Sequence, residues 1–176
     1  KRYFKKKMDR ADMDAMSAEF VQAAIYARES GFDAIELHMG HGYLLSQFIS
    51  PLYNKRKDEY GGTIEKRMRF PNEVLAKTLD AVGKDLAVIV KYSQTDSAKG
   101  GNTIDDGIAI AKKLEATGAH MAVLSNGMNV ESITAMFGSS LPEQAQTKPS
   151  NILLRIGMAM QKATETEKVV FKELLN

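Results

Sequence analysis

Cysteine is absent from the 176 residues, which excludes disulfides, thiolate metal sites and a cysteine nucleophile within the chain and says little about compartment. An excess of one charge is missing too: 24 Lys and Arg against 22 Asp and Glu leave a net +2, so no general attraction to nucleic acid follows. No apolar run is long enough to span a membrane, and no signal-peptide pattern is visible. We expect a cytoplasmic protein with neither a membrane nor a nucleic-acid partner. What is present is ordinary for a globular domain: 44% apolar and 26% charged residues, at a length that suits one domain, residues 1–176. The chain begins with Lys1 rather than methionine, as a processed product or an excerpt would. Six of its first ten residues are basic (Lys1, Arg2, Lys5, Lys6, Lys7 and Arg10); such an arm can touch phosphates but is read as a solvated surface segment.

Periodicity divides the chain into alternating elements. Ser17 as N-cap and Gly31 as a left-handed stop frame a helix over 17–30, with Phe20, Ala24 and Ala27 on one face. A strand at Asp33–Leu37 follows. After a polar loop over 53–62, a second helix is expected over 64–82, kinked or divided near Phe70 by Pro71. Gly83 closes it, and Leu86-Ala87-Val88-Ile89-Val90 has the continuous apolar character of a strand buried on both faces. A polar loop over 93–102 leads to Thr103 and Asp106, an acidic capping pair for a helix over 104–117, which Gly118 ends. Met121–Leu124 is a third short buried strand. This alternation is the grammar of parallel α/β folds, with βα units over about 13–126. Residues 127–176 depart from it: a long loop over 126–150 and an amphipathic helix over 151–162 make a loop-and-helix extension. Three strands cannot close a barrel, since eight with their helices need roughly 250 residues. Two strand edges are left open, which allows self-association.

Chemistry concentrates at His38-Met39-Gly40-His41-Gly42-Tyr43, where two imidazoles and a phenol follow the end of the first strand. Parallel α/β folds place their sites at strand ends. A neutral imidazole donates a hydrogen bond without a full charge, and two of them can polarise one substrate oxygen. Gly40 and Gly42 would let backbone approach a flat ligand. A metal is a weaker reading, because His38 and His41, even joined by Glu36, make too small a ligand set. A turn in which both histidines bond backbone carbonyls is the structural alternative. Tyr43 can supply a proton or simply pack in the core with its hydroxyl satisfied. Lys91, at the end of the second apolar run, supplies positive charge for an anionic ligand or reduced cofactor if it points inward, and otherwise snorkels to solvent. Ser125 and Asn126 end the third run and are read as a turn in preference to ligand contacts. His120 is read as a surface or turn residue.

A resemblance sharpens this picture. Gly31-Phe32-Asp33-Ala34-Ile35-Glu36-Leu37-His38, His41-Gly42-Tyr43-Leu44-Leu45, Gln47-Phe48, Ser50-Pro51-Leu52, Asn54-Lys55-Arg56, Asp58-Glu59-Tyr60-Gly61-Gly62, Glu65, Arg67-Met68-Arg69-Phe70 and Glu73-Val74 resemble the old yellow enzyme family. Weaker similarity continues from Val88 to Ser132. Its members are FMN-dependent (β/α)8 barrels, so the resemblance implies an α/β fold: a partial TIM barrel of about three parallel βα units with a C-terminal helical extension, covering roughly the fourth to sixth units. It implies that His38 and His41 bind the substrate's activating oxygen, that Tyr43 is the catalytic proton donor, and that Lys91 is the cofactor-binding cation where the family usually has an arginine beside the flavin. Lysine keeps the charge but gives up the planar bidentate fork. The implied activity is that of an NAD(P)H:flavin oxidoreductase: NAD(P)H reduces FMN, hydride passes to an activated C=C or related small-molecule electrophile, and a proton reaches the neighbouring carbon. The strands that grip the flavin's phosphate elsewhere in the family have no counterpart here. Weak FMN binding by this polypeptide is therefore expected, and the alternative is a catalytically silent barrel fragment acting only through another chain.

Overall fold

The computed structural model describes residues 7–129; the loop and helix expected over 130–176, and Lys1 to Lys6 of the basic arm, lie outside the described residues. In chain order the elements are α1 (Arg10–Glu29), β1 (Ala34–Met39), α2 (Leu44–Ile49), α3 (Ile64–Arg67), α4 (Arg69–Val82), β2 (Ala87–Thr95), α5 (Ile104–Thr117) and β3 (Met121–Asn126). The strands form one parallel sheet in the order β1-β2-β3.

Local signals account for most boundaries. Thr103 and Asp106 cap α5 reciprocally, and Gly118 leaves it at φ 103°, a conformation that favours a residue without Cβ. Pro71 divides the second helical stretch at Met68, between α3 and α4. The reason is the ring of Pro71, which an unbroken helix would drive into the carbonyl of Arg67, four residues back. α1 starts seven residues before the expected Ser17, at a capping box formed by Asp9 and Asp12. Ser17 is therefore not a cap but a buried residue inside the helix, its hydroxyl without a hydrogen-bond partner among the described residues. Lys7 and Arg10 are not a free arm either: Lys7 pairs with Asp58 at 2.8 Å, and Arg10 with Asp14 and Glu73.

The core lies between the sheet and one layer of helices. Leu37 and Met39 of β1, Val88, Val90 and Tyr92 of β2, and Phe70, Val74 and Leu75 of α4 are all buried, and burying each such side chain contributes about 1.5–3 kcal/mol. α5 lies on β2 closely enough that a Cβ at Gly107 would meet the carbonyl oxygen of Gln94 at 2.1 Å. The expectation of burial on both faces fails for the other side of the sheet. Ile89 and Lys91 are only half-buried and Met121 of β3, the partner of Ile89, is 52% exposed, while on the helix-side face Leu124, the partner of Tyr92, is 60% exposed. β2 also runs to Thr95, three residues into the expected loop.

Candidate active site

Register places the chemistry. His38 of β1 pairs with Lys91 of β2, which pairs in turn with Val123 of β3. Alternation along the strands then puts Glu36, His38, Ile89, Lys91, Val123 and Ser125 on the sheet face opposite the helices. The chain leaves β1 through Gly40 and a left-handed His41 at φ 59°, a conformation uncommon for a residue with a side chain. That turn swings the second imidazole back beside the first.

The three predicted rings are together. The centroids of His38 and His41 are 5.1 Å apart, and those of His38 and Tyr43 are 5.3 Å apart in an edge-on arrangement. Tyr43 is the N-cap of α2 and is 55% exposed, so it does not pack in the core. His38 makes no hydrogen bond within the described residues, whereas Nε2 of His41 lies 2.6 Å from the Ser125 hydroxyl. Neither imidazole bonds a backbone carbonyl among the described residues, and the turn-stabilising alternative is not what the structure displays. Burial lowers the pKa of His38, with the charge of Lys91 adding to it and Glu36 opposing. Burial lowers His41 as well, followed by His38 and Lys91. Both rings therefore stay neutral at pH 7, each with one N–H to donate.

Some assignments change. Gly40 packs tightly on β2, since a Cβ there would sit 3.1 Å from the Ser93 hydroxyl and would have to displace it by a few tenths of an ångström. Gly42 is required by its φ of 80°. His120 keeps its expected place as an exposed turn residue, its Nδ1 accepting the Val88 N–H at 2.9 Å. Ser125 is not a turn residue but the partner of His41. Ser93 carried no signal in the sequence, yet its hydroxyl accepts the His41 N–H and donates to the Gly127 carbonyl, each at 3.1 Å. The polar network of Arg67, Asp96, Ser50 and Asn102 was likewise not anticipated. Within it the Asp96 carboxylate accepts from the Ser50 hydroxyl and the Asn102 N–H, each at 2.7 Å, and Arg67 donates to the Ile49 carbonyl and the Asn102 side chain. It ties the end of α2 to the loop after β2, just beyond the ring cluster. Among the described residues no group of three or more His, Cys, Asp or Glu could hold a metal.

The NADH:flavin oxidoreductase / NADH oxidase family model matches residues 1–166. The chain belongs to this family. It is 42% identical over 133 residues to an NADH oxidase of Thermoanaerobacter brockii, an alignment covering 76% of this chain and 20% of that protein. It is 40% identical over 124 residues to an NADPH dehydrogenase of Geobacillus sp. (strain WCH70), covering 69% of this chain and 35% of that one. Among solved structures, a 2-naphthoyl-CoA reductase in complex with 2-naphthoyl-CoA superposes with a TM-score of 0.70 at 28% identity, over 90% of this chain and 23% of that one. The sheet and its helices are thus consecutive parallel βα units of a TIM-barrel oxidoreductase. The chain spans about a fifth to a third of the length of these relatives.

Family membership brings FMN as cofactor, with NAD(P)H as reductant, and the residues present fit part of it. Lys91 gives the open sheet face a cation, and Ile89 and Val123 flank it with apolar, half-buried surface, which suits a planar ring that becomes anionic on reduction. A phosphate is not served by α5, the helix after β2, because Asp105 and Asp106 occupy its first turn and repel an anion there.

Proposed function

We propose that this chain carries the substrate-polarising part of an FMN-dependent NAD(P)H oxidoreductase that reduces activated C=C bonds or related small electrophiles. The observation that carries the reading is the convergence of two neutral imidazoles, 5.1 Å apart, beside the cation of Lys91 on one open face. When bound, FMN supplies the redox chemistry, taking hydride from NAD(P)H and giving it to the electrophile. The protein's share is electrostatic. His38 and His41 donate to the substrate's carbonyl or nitro oxygen, and those bonds strengthen as negative charge builds on it, which lowers the barrier rather than merely tightening binding. Tyr43, exposed and 5.3 Å from His38, delivers the proton to the carbon beside the one reduced. Lys91 neutralises the reduced ring.

The test is turnover of 2-cyclohexenone with NADH or NADPH at saturating FMN. Removing one preorganised donor to a developing oxyanion costs about 10²–10³ in rate, so His38→Ala with His41→Ala should lose at least a hundredfold. Tyr43→Phe should slow enone reduction while leaving flavin reduction by NAD(P)H unchanged. Equal rates in wild type and the double variant would refute the assignment.

A second reading is favoured by the short span of the relatives covered and by β3, whose Met121 and Leu124 are more than half exposed. In it the polypeptide is silent alone and acts by pairing its open strand edges with another chain or a second copy. Desalting after incubation with FMN separates the two: retained yellow absorbance supports the first, and a colourless protein the second.

A further inference from the structure

His41 is held from several directions. Its N–H donates to Ser93 Oγ at 3.1 Å, and its carbonyl accepts from Asn129 N–H at 3.2 Å. Its Nε2 lies 2.6 Å from Ser125 Oγ, across the sheet on β3. A neutral imidazole has one N–H and one lone pair, and the partner of one nitrogen decides what the other offers. With Nε2 engaged by Ser125, only Nδ1 remains for a ligand. If Nε2 carried the proton, Nδ1 would present a lone pair and repel an electron-rich oxygen. The Ser125 hydroxyl has no other hydrogen-bond partner among the described residues, so its own proton has one protein acceptor within reach, the Nε2 lone pair.

We propose that Ser125 is a positioning residue: its hydroxyl donates to Nε2 of His41 and holds the ring as the Nδ1–H tautomer, so that Nδ1 faces the ligand as a donor. The ligand-facing clause rests on the function proposed above; the tautomer does not. His120 supplies an internal contrast, because its Nδ1 accepts the Val88 N–H at 2.9 Å and its proton must be on Nε2.

The experiment is long-range ¹H–¹⁵N correlation NMR of the full chain labelled with ¹⁵N-histidine, without added ligand at neutral pH, where three ring systems are the whole histidine content. His41 should show a protonated Nδ1 and a lone-pair Nε2, the reverse of His120. Ser125→Ala should abolish that pattern, giving the Nε2–H form or a mixture, while His120 stays unchanged and reports an intact fold. Ser125→Thr, which keeps the hydroxyl, should restore it. A wild-type His41 protonated at Nε2 overturns the proposal, as does a Ser125→Ala protein with His41 unaltered. Because no ligand is present, this outcome is independent of the enone assay, so either idea can fail while the other stands.

Discussion

Replacing Arg67 by methionine tests the packing that holds the ring cluster. The Arg67 side chain is 6% exposed. It donates at 2.7 Å to the Ile49 carbonyl and at 2.9 Å to the Asn102 side chain, and its charge acts on the buried Asp96 carboxylate. Arg67→Met leaves two buried acceptors without their donor, each worth about 1–3 kcal/mol, and takes a cation from a carboxylate that cannot reach water. The loss is bounded from above by imperfections in the native arrangement: Arg67 Nε is itself buried without a partner among the described residues, and Asp106, 3.6 Å away and partly exposed, keeps its Thr103 contacts. Breaking a buried pair by removing one partner costs about 3–5 kcal/mol, and that is the range expected here. It is a large share of the roughly 5–15 kcal/mol that holds a typical domain together. Urea unfolding followed by far-ultraviolet circular dichroism measures it. A second arm, Asp96→Asn in both backgrounds, closes a double-mutant cycle; in the Arg67→Met protein it should cost less than in wild type, because the stranded charge is removed. A loss below about 1 kcal/mol for Arg67→Met, or additive effects in the cycle, would refute the reasoning.

Two further outcomes follow from other parts of the structure. Gly107→Ala improves helix propensity by about 0.8–1.0 kcal/mol, yet its Cβ would meet the Gln94 carbonyl at 2.1 Å; overpacking of about 1–3 kcal/mol should win, and a raised melting temperature would show that α5 does not lie this close to β2. The pKa values of His38 and His41 are lowered on folding, so their contribution to stability is present above the unfolded value near 6.5 and is lost as pH falls through the lower folded values. His38→Ala with His41→Ala should flatten that acid limb, and a titration by NMR placing either ring above 6.5 would contradict the burial described for them.

How much the sequence revealed depended on how local each signal was. The ends of α5 were legible because Thr103, Asp106 and Gly118 act within one helical turn. The start of α1 was not, because the first turns carry too few large apolar residues to show a period. The break before α4 was foreseen from Pro71, but it falls at Met68 because the clash reaches back to Arg67. The ring cluster was legible because His38, His41 and Tyr43 share one short turn. Ser125 and Ser93 were not, since their bonds to His41 span 84 and 52 residues and exist only once the register of three strands is set. Arg67 and Asp96 stayed hidden for the same reason: a charged residue in a polar stretch looks solvated until the fold closes over it.

The most direct measurement of the central claim is the absorbance of a para-substituted phenolate added to the flavin-saturated protein. A phenolate anchored by both imidazoles stacks on the oxidised ring, so a long-wavelength charge-transfer band should appear with wild type and vanish with His38→Ala and His41→Ala combined. A band of undiminished strength in the double variant, or none in wild type at saturating FMN, would mean that these histidines do not face the flavin.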